Sequence, residues 1–99
     1  MPSKVFWTRQ ARDDLRAIRD HIARDAPATA AAFVRRLRMS VGRLHEFPLS
    51  GQVVPEVGEN SIREILFGSY RLIYRLTESR VEMIAVFHSA KILGSGEFD

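Results

Sequence analysis

Ser61-Ile-Arg-Glu-Ile-Leu-Phe67, Tyr70-Arg-Leu-Ile-Tyr-Arg-Leu-Thr77 and Val81-Glu-Met-Ile-Ala-Val-Phe-His88 are three runs rich in β-branched and aromatic residues, parted only by Gly68-Ser69 and Glu78-Ser79-Arg80. Each run has the length and composition of a strand. Breaks this short leave neighbouring strands antiparallel. The last run is apolar nearly throughout, as a central strand covered on both faces would be. In the middle run, period-two alternation puts Arg71 and Arg75 on one face and Tyr70, Leu72, Tyr74 and Leu76 on the other. The expectation is a three-stranded antiparallel meander with a cationic stripe on its exposed face.

Two helical patterns precede the meander. Ala11, Leu15, Ile18 and Ile22 recur at spacings of four, three and four, which lines one helix face with apolar side chains. Thr8 is placed to cap this helix, and Asp20 stands four residues before Arg24 in the favourable order for an exposed ion pair. Asp25-Ala26-Pro27 ends the first helix and begins a second, since proline is tolerated in a first turn. The second stripe is Ala30, Phe33, Val34, Leu37, Val41 and Leu44, and Phe47-Pro48 ends it. Two amphipathic helices joined so briefly form an antiparallel hairpin. Upstream, Lys4-Val-Phe-Trp-Thr8 reads as a short first strand with Trp7 turned inward. Pro48 to Asn60, with two prolines and two glycines, reads as a long loop, a length that is often functional. The fold class is therefore α+β: an N-terminal strand, a helix hairpin, then the meander. A single domain is expected over residues 1–93, with a flexible tail at 94–99.

The 99 residues suffice for one hydrophobic core and not two. The hydrophobic share of 45% with 27% charged residues is a globular balance. With no cysteine there is neither a disulfide framework nor a thiolate metal site, and His21, His45 and His88 are scattered. No metal or other cofactor is expected. Neither a signal-peptide core nor a membrane-length apolar run is visible, so the cytoplasm is the expected location. The formal net charge of +3 favours an acidic partner. Arg35, Arg36, Arg38 and Arg43 form a local group with no acid between them, a positive helix surface that is either a binding face or a solvated one.

The chain resembles the ParE toxins of the ParE/RelE superfamily along nearly its whole length. The residues that carry the resemblance are Ala11-x-x-Asp14-Leu15-x-x-Ile18, Pro27 with Ala30 to Phe33, and Leu44-x-x-Phe47-Pro48-x-x-Gly51. They continue with Val54-Pro55-Glu56, Arg63-Glu64, Tyr70 to Arg75, and Val86-Phe87-His88-Ser89-Ala90-Lys91. The resemblance implies a toxin encoded beside an antitoxin, a protein that folds on binding it, in a hetero-oligomeric complex. It implies one of two targets, DNA gyrase for ParE proteins or, for RelE proteins, translated messenger RNA cut on the ribosome. Fold alone does not choose between them.

Metal-free RNA cleavage needs a base for the 2′-hydroxyl, an acid for the leaving oxygen and cations for the phosphate. Here Arg63, Arg71, Arg75 and Lys91 offer the cations and His88 the titrating group. The tail beyond Lys91 lacks the tyrosine or histidine that RelE-like nucleases are similar in carrying. The expected function is thus a non-enzymatic gyrase inhibitor, with the endoribonuclease as the alternative. A toxin-like fold kept only as an antitoxin-binding module is a third reading.

The residues expected to meet the antitoxin or target are Arg35, Arg36, Leu37, Val41, Arg63, Arg71, Arg75, His88 and Lys91, with Leu37 and Val41 partly exposed in a groove between hairpin and sheet. Against that stands a plainer reading, in which Arg71 and Arg75 pair with Glu64 and Glu82 across the sheet. Tyr70 and Tyr74 read as core aromatics with bonded hydroxyls, and Met39 and Met83 as core filler. His21 and His45 have no useful companions.

Overall fold

The computed structural model describes residues 3–90; Lys91 and the 94–99 tail lie outside them. The elements are β1 (Lys4–Trp7), α1 (Arg9–Ala23), α2 (Pro27–Gly42), a 3-10 turn (Arg43–His45), β2 (Gln52–Val53), β3 (Ile62–Phe67), β4 (Tyr70–Leu76) and β5 (Arg80–His88). Thr8 caps α1 as its spacing suggests: its Oγ1 accepts from the Ala11 N–H and donates to the Met83 carbonyl, tying the helix start to β5. Pro27 opens α2 in its first turn. Asp20 pairs with its neighbour Arg19 at 2.9 Å.

The sheet has the order β1-β5-β4-β3-β2. The meander β3-β4-β5 is antiparallel, while β1 joins β5 in parallel, because the helix hairpin carries the chain back across the sheet before the meander begins. Gly68, at φ 56°, takes the first central position of the two-residue β3–β4 turn, where a left-handed backbone favours glycine. The sequence pattern does not show β2. This two-residue strand lies inside the expected loop and pairs with Arg63 and Glu64 of β3.

Both helices cover one sheet face. Ala11, Leu15, Leu37, Val41 and Leu44 pack there against Ile65, Leu72, Tyr74, Val81, Met83 and Val86. The other face holds a smaller cluster, Val54, Ile62, Ile73 and Ala85, with Val57, Ile84 and Phe87 at its margin. Residues 54–57 of the loop therefore cover the face opposite the helices, while Pro48 and Gly51 bond to Tyr74 and Arg63 on the helix side. β5 is apolar nearly throughout because it is a central strand covered on both faces, with Val81, Met83 and Val86 toward the helices and Ile84, Ala85 and Phe87 toward the smaller cluster. Ile73 pairs with Ala85 and Tyr74 with Met83, so Ile84 is the extra residue of a bulge. The alternation shifts by one at that point, and both Met83 and Val86 meet the helices. Where β1 has ended, Asp14 of α1 accepts from the Val86 N–H at 2.9 Å, so this edge amide is satisfied by a side chain.

Two expectations for α2 need correction. Leu37 and Val41 are buried, because the stripe they belong to is the one the hairpin and sheet close over; they are packing positions and offer no surface to a partner. Met39, read as core filler, is 72% exposed, lying two residues off that stripe.

Candidate functional site

Arg71 departs most from the expected exposed stripe. Alternation does put it with Arg75 on the face away from the helices, but residues 54–57 of the loop lie over that face and Arg71 is only 8% exposed. Its guanidinium is held on two sides. Nη1 and Nη2 donate to the two oxygens of Glu56 at 2.6 and 2.8 Å, and Nε donates to Glu64 at 2.5 Å. Glu64, 3% exposed, takes its other bond from Gln52 Nε2 at 2.7 Å. Every charge in this cluster is met by a fork or a direct donor, the arrangement in which a buried ion pair is tolerated. Arg71 is thus a clamp between loop and sheet, and the cationic stripe is reduced to Arg75, which lies 4.0 Å from Glu82. The plainer cross-strand reading describes both arginines; it lacked Glu56, whose arrival from the loop no sequence spacing signals.

The clamp has a pH signature. Hydrogen bonds from Arg71 hold the Glu56 carboxyl down from 4.5 to about 2, against the opposing effect of burial, and the same bonds hold the Arg71 guanidinium above its ordinary value. A depressed folded-state value stabilises fully above pH 4.5 and is lost as pH falls toward 2. With 27% of the Glu56 side chain still in water, the loss amounts to about 2 kcal/mol. Denaturant unfolding at pH 5 and pH 2 should show this loss in the wild type and a smaller one in Glu56→Gln. Equal losses would mean that the pair contributes nothing.

The remaining candidates do not converge. Arg63 is on the helix-side face of β3, where Nε donates to the Asn60 carbonyl and Nη1 to the Gly51 carbonyl, both at 2.9 Å; it closes loop turns. His88 is exposed at the end of β5, its ring edge-on to Tyr70 with centroids 5.5 Å apart, and its Nδ1 accepts from the Ala90 N–H at 3.1 Å. Tyr70 lies opposite His88 and Tyr74 opposite Arg63, so the histidine and Arg63 are separated by about 13 Å along β4. Tyr74 is fully buried; its hydroxyl donates to the Pro48 carbonyl at 2.8 Å and accepts from the Gly51 N–H at 3.0 Å, and burial pushes its pKa up.

Surfaces suited to a macromolecule lie elsewhere. A groove of about 440 Å³ runs between α2 and the end of β3, lined by Ala28, Thr29, Ala32, Phe33, Arg36 and Phe67. Phe33 meets Phe67 and Tyr70 edge-to-face at 5.5 and 5.4 Å, so the floor is aromatic while Arg36 stands at the rim. Beside it, β2 pairs only with Arg63 and Glu64, which leaves the outer edge of β3 from Ile65 to Phe67 without a neighbouring strand among the described residues. Of the expected contact residues, Arg36 borders this groove and Arg35 is exposed on the same helix. A second apolar patch, Phe47 and Leu49, follows the 3-10 turn. The sequence reading ended α2 at Phe47 and did not single out Phe67, Leu49 or the open edge, since exposure of apolar residues leaves no periodic trace.

Among the described residues no helix is long and apolar enough to cross a membrane. In fold the chain is similar to a chromosomal ParDE toxin–antitoxin system from P. aeruginosa, with a TM-score of 0.75 at 21% identity, covering 87% of this chain and 95% of that one. It is also similar to a chain of the RelBE2 toxin–antitoxin complex from Mycobacterium tuberculosis, with a TM-score of 0.59 at 27% identity, covering 89% and 99%. Among curated proteins it is 29% identical over 91 residues to Toxin RelE2 of Caulobacter vibrioides, spanning 91% of this chain and 99% of that protein. A family model described as the ParE toxin of the type II toxin–antitoxin system parDE matches residues 5–93. With nearly the whole described fold inside that match, the chain belongs to the ParE toxin family of type II toxin–antitoxin systems.

Proposed function

We propose that this toxin acts without catalysis, by binding DNA gyrase, and that a cognate antitoxin neutralises it. The observation that carries the reading is the state of the four residues a nuclease would need. Arg71 is neutralised by Glu56 and Glu64, Arg63 is committed to two loop carbonyls, Arg75 faces away from the helices, and His88 stands at the far end of the other face. General acid–base cleavage needs its groups within hydrogen-bond reach of one substrate atom, and these four do not share one. A toxin with this surface acts by occupying a partner, and family membership favours gyrase as that partner.

For the antitoxin, the groove beside Phe33 and Phe67 and the open β3 edge supply the two features that a segment folding on binding uses: an aromatic trough for apolar anchors and unpaired backbone for an added strand. The solved structures it resembles in fold come from toxin–antitoxin systems. Purified free toxin at micromolar concentration should inhibit supercoiling by gyrase or accumulate cleaved complexes, with prior addition of antitoxin restoring activity. Undisturbed supercoiling together with position-specific cuts in translated messages, abolished in His88→Ala, would replace this reading by the nuclease.

A further inference from the structure

We infer that the outer cleft between α1 and α2 binds the phosphodiester backbone of duplex DNA. On α1, Arg12, Arg16 and Arg19 recur at spacings of four and three, so they form one row about 10 Å long. Arg38 of α2 faces them across a cleft of about 120 Å³ whose floor is Leu15 and Val34. Four guanidinium groups thus border one opening. Two acids temper the row: Asp13 lies 3.9 Å from Arg16, and Asp20 pairs with Arg19 at 2.9 Å, both on the exposed surface. Arg12 and Arg38 have no carboxylate partner among the described residues; Arg38 instead lies 5.7 Å over the Trp7 ring, which holds its stem in place.

The shape selects the ligand. The cleft is too small for a helix about 10 Å across and takes a group of phosphate size. Its lining is arginine without lysine, and the planar guanidinium fork suits phosphate oxygens. A basic row along a helix is the electrostatic footprint of a nucleic-acid backbone contact. Single strands are gripped by stacking bases on exposed aromatic rings, and no aromatic side chain lines this cleft. That favours a duplex, read through its backbone alone. The apolar groove at Phe33 and Phe67 is a separate surface, lined by none of these arginines, so a toxin already holding its antitoxin there keeps this cleft open.

Fluorescence anisotropy of the full chain with a labelled random-sequence duplex, at a series of salt concentrations from about 50 mM, tests this without gyrase present. Its failure therefore leaves the gyrase reading standing, and the reverse. The wild type should bind with a steep salt dependence. In the triple variant Arg12→Gln, Arg16→Gln, Arg38→Gln, affinity should fall at least about tenfold and the slope of log K against log salt should fall by about 2 to 3. The pair Arg12→Gln, Arg16→Gln leaves Arg38 on Trp7 and carries the test if the triple variant melts early; its slope should fall by about 2. Removing the same charge elsewhere, with Lys4→Gln, Arg24→Gln and Arg80→Gln, should change the slope by less than 1 if the cleft is a site (about 0.9 per phosphate lost). Equal effects of the two triple variants, no wild-type binding, or tighter binding of a single strand would overturn the proposal. So would displacement by polyglutamate at lower charge concentration than DNA, which would reassign the cleft to an acidic protein segment.

Discussion

Replacing Arg71 by alanine should lower the melting temperature by about 15–30 °C, the largest single effect expected from any arginine of this chain. The side chain bridges loop and sheet by satisfying two carboxylates at once, and its removal leaves Glu56 and Glu64 facing each other across a vacated, low-dielectric space. Breaking a buried pair by deleting one partner costs about 3–5 kcal/mol, because the surviving charge is uncompensated. In a domain of this size each kcal/mol moves the midpoint by about 4–8 °C. Two controls separate charge from packing. The gap between Arg71→Ala and wild type should narrow in acid, where protonation relieves the stranded carboxylates and where wild-type Glu56, held near 2, has lost part of its own contribution. The triple variant Arg71→Met, Glu56→Gln, Glu64→Gln should recover most of the loss, since a neutral cluster of similar volume carries no stranded charge. A shift below about 5 °C for Arg71→Ala would show that the clamp is solvated in solution and that the 48–61 loop does not depend on it.

The same residue shows where the sequence was legible and where it was not. Periodicity placed α1, the start of α2 and the three meander strands close to their observed bounds, because each of these signals is carried by the residues of one element alone; α2 ends at Gly42, short of the expected Phe47. Alternation also put Arg71 and Arg75 on one face correctly. What it could not say is what lies over that face, since this depends on a loop without period folding back and bringing Val54, Glu56 and Val57 onto the sheet. Burial of Leu37 and Val41 follows from the stripe itself, and the expectation that they would be partly exposed asked one stripe to serve both the core and a partner. The apolar surface left for a partner joins the stripe residue Phe33 to half-buried Phe67 at the end of β3, and Phe47 and Leu49 past the helix add an exposed patch, arrangements that are tertiary facts. The parallel seam of β1 with β5 and the bulge at Ile84 were equally invisible, whereas the apolar run of β5 correctly signalled a strand covered on both faces.

Gly51→Ala should destabilise the fold by about 3 kcal/mol and free the loop that follows it. No unusual φ is involved; the reason is close approach. A Cβ at this position would stand 2.5 Å from the Glu64 carbonyl oxygen, 2.5 Å from the Tyr74 hydroxyl and 2.8 Å from its Cε1. The first neighbour is backbone of a strand paired on both sides, and the second belongs to a fully buried ring, so neither yields cheaply. The same displacement strains three hydrogen bonds that converge here: the Gly51 N–H to the Tyr74 hydroxyl, that hydroxyl to the Pro48 carbonyl, and Arg63 to the Gly51 carbonyl. Because β2 begins one residue later and Gln52 supports Glu64, loosening this corner also loosens the Arg71 clamp. Limited proteolysis should therefore cut the 48–61 segment in Gly51→Ala under conditions that leave the wild type intact, while the helices stay protected. Tyr74→Phe should cost about 1–3 kcal/mol by stranding the Gly51 N–H and the Pro48 carbonyl. The double variant should lose less than the sum of the two single losses, because the alanine methyl gains the room the hydroxyl has left. Strict additivity, or a Gly51→Ala loss within about 0.5 kcal/mol of zero, would mean that the start of the loop does not rest against Tyr74 in solution.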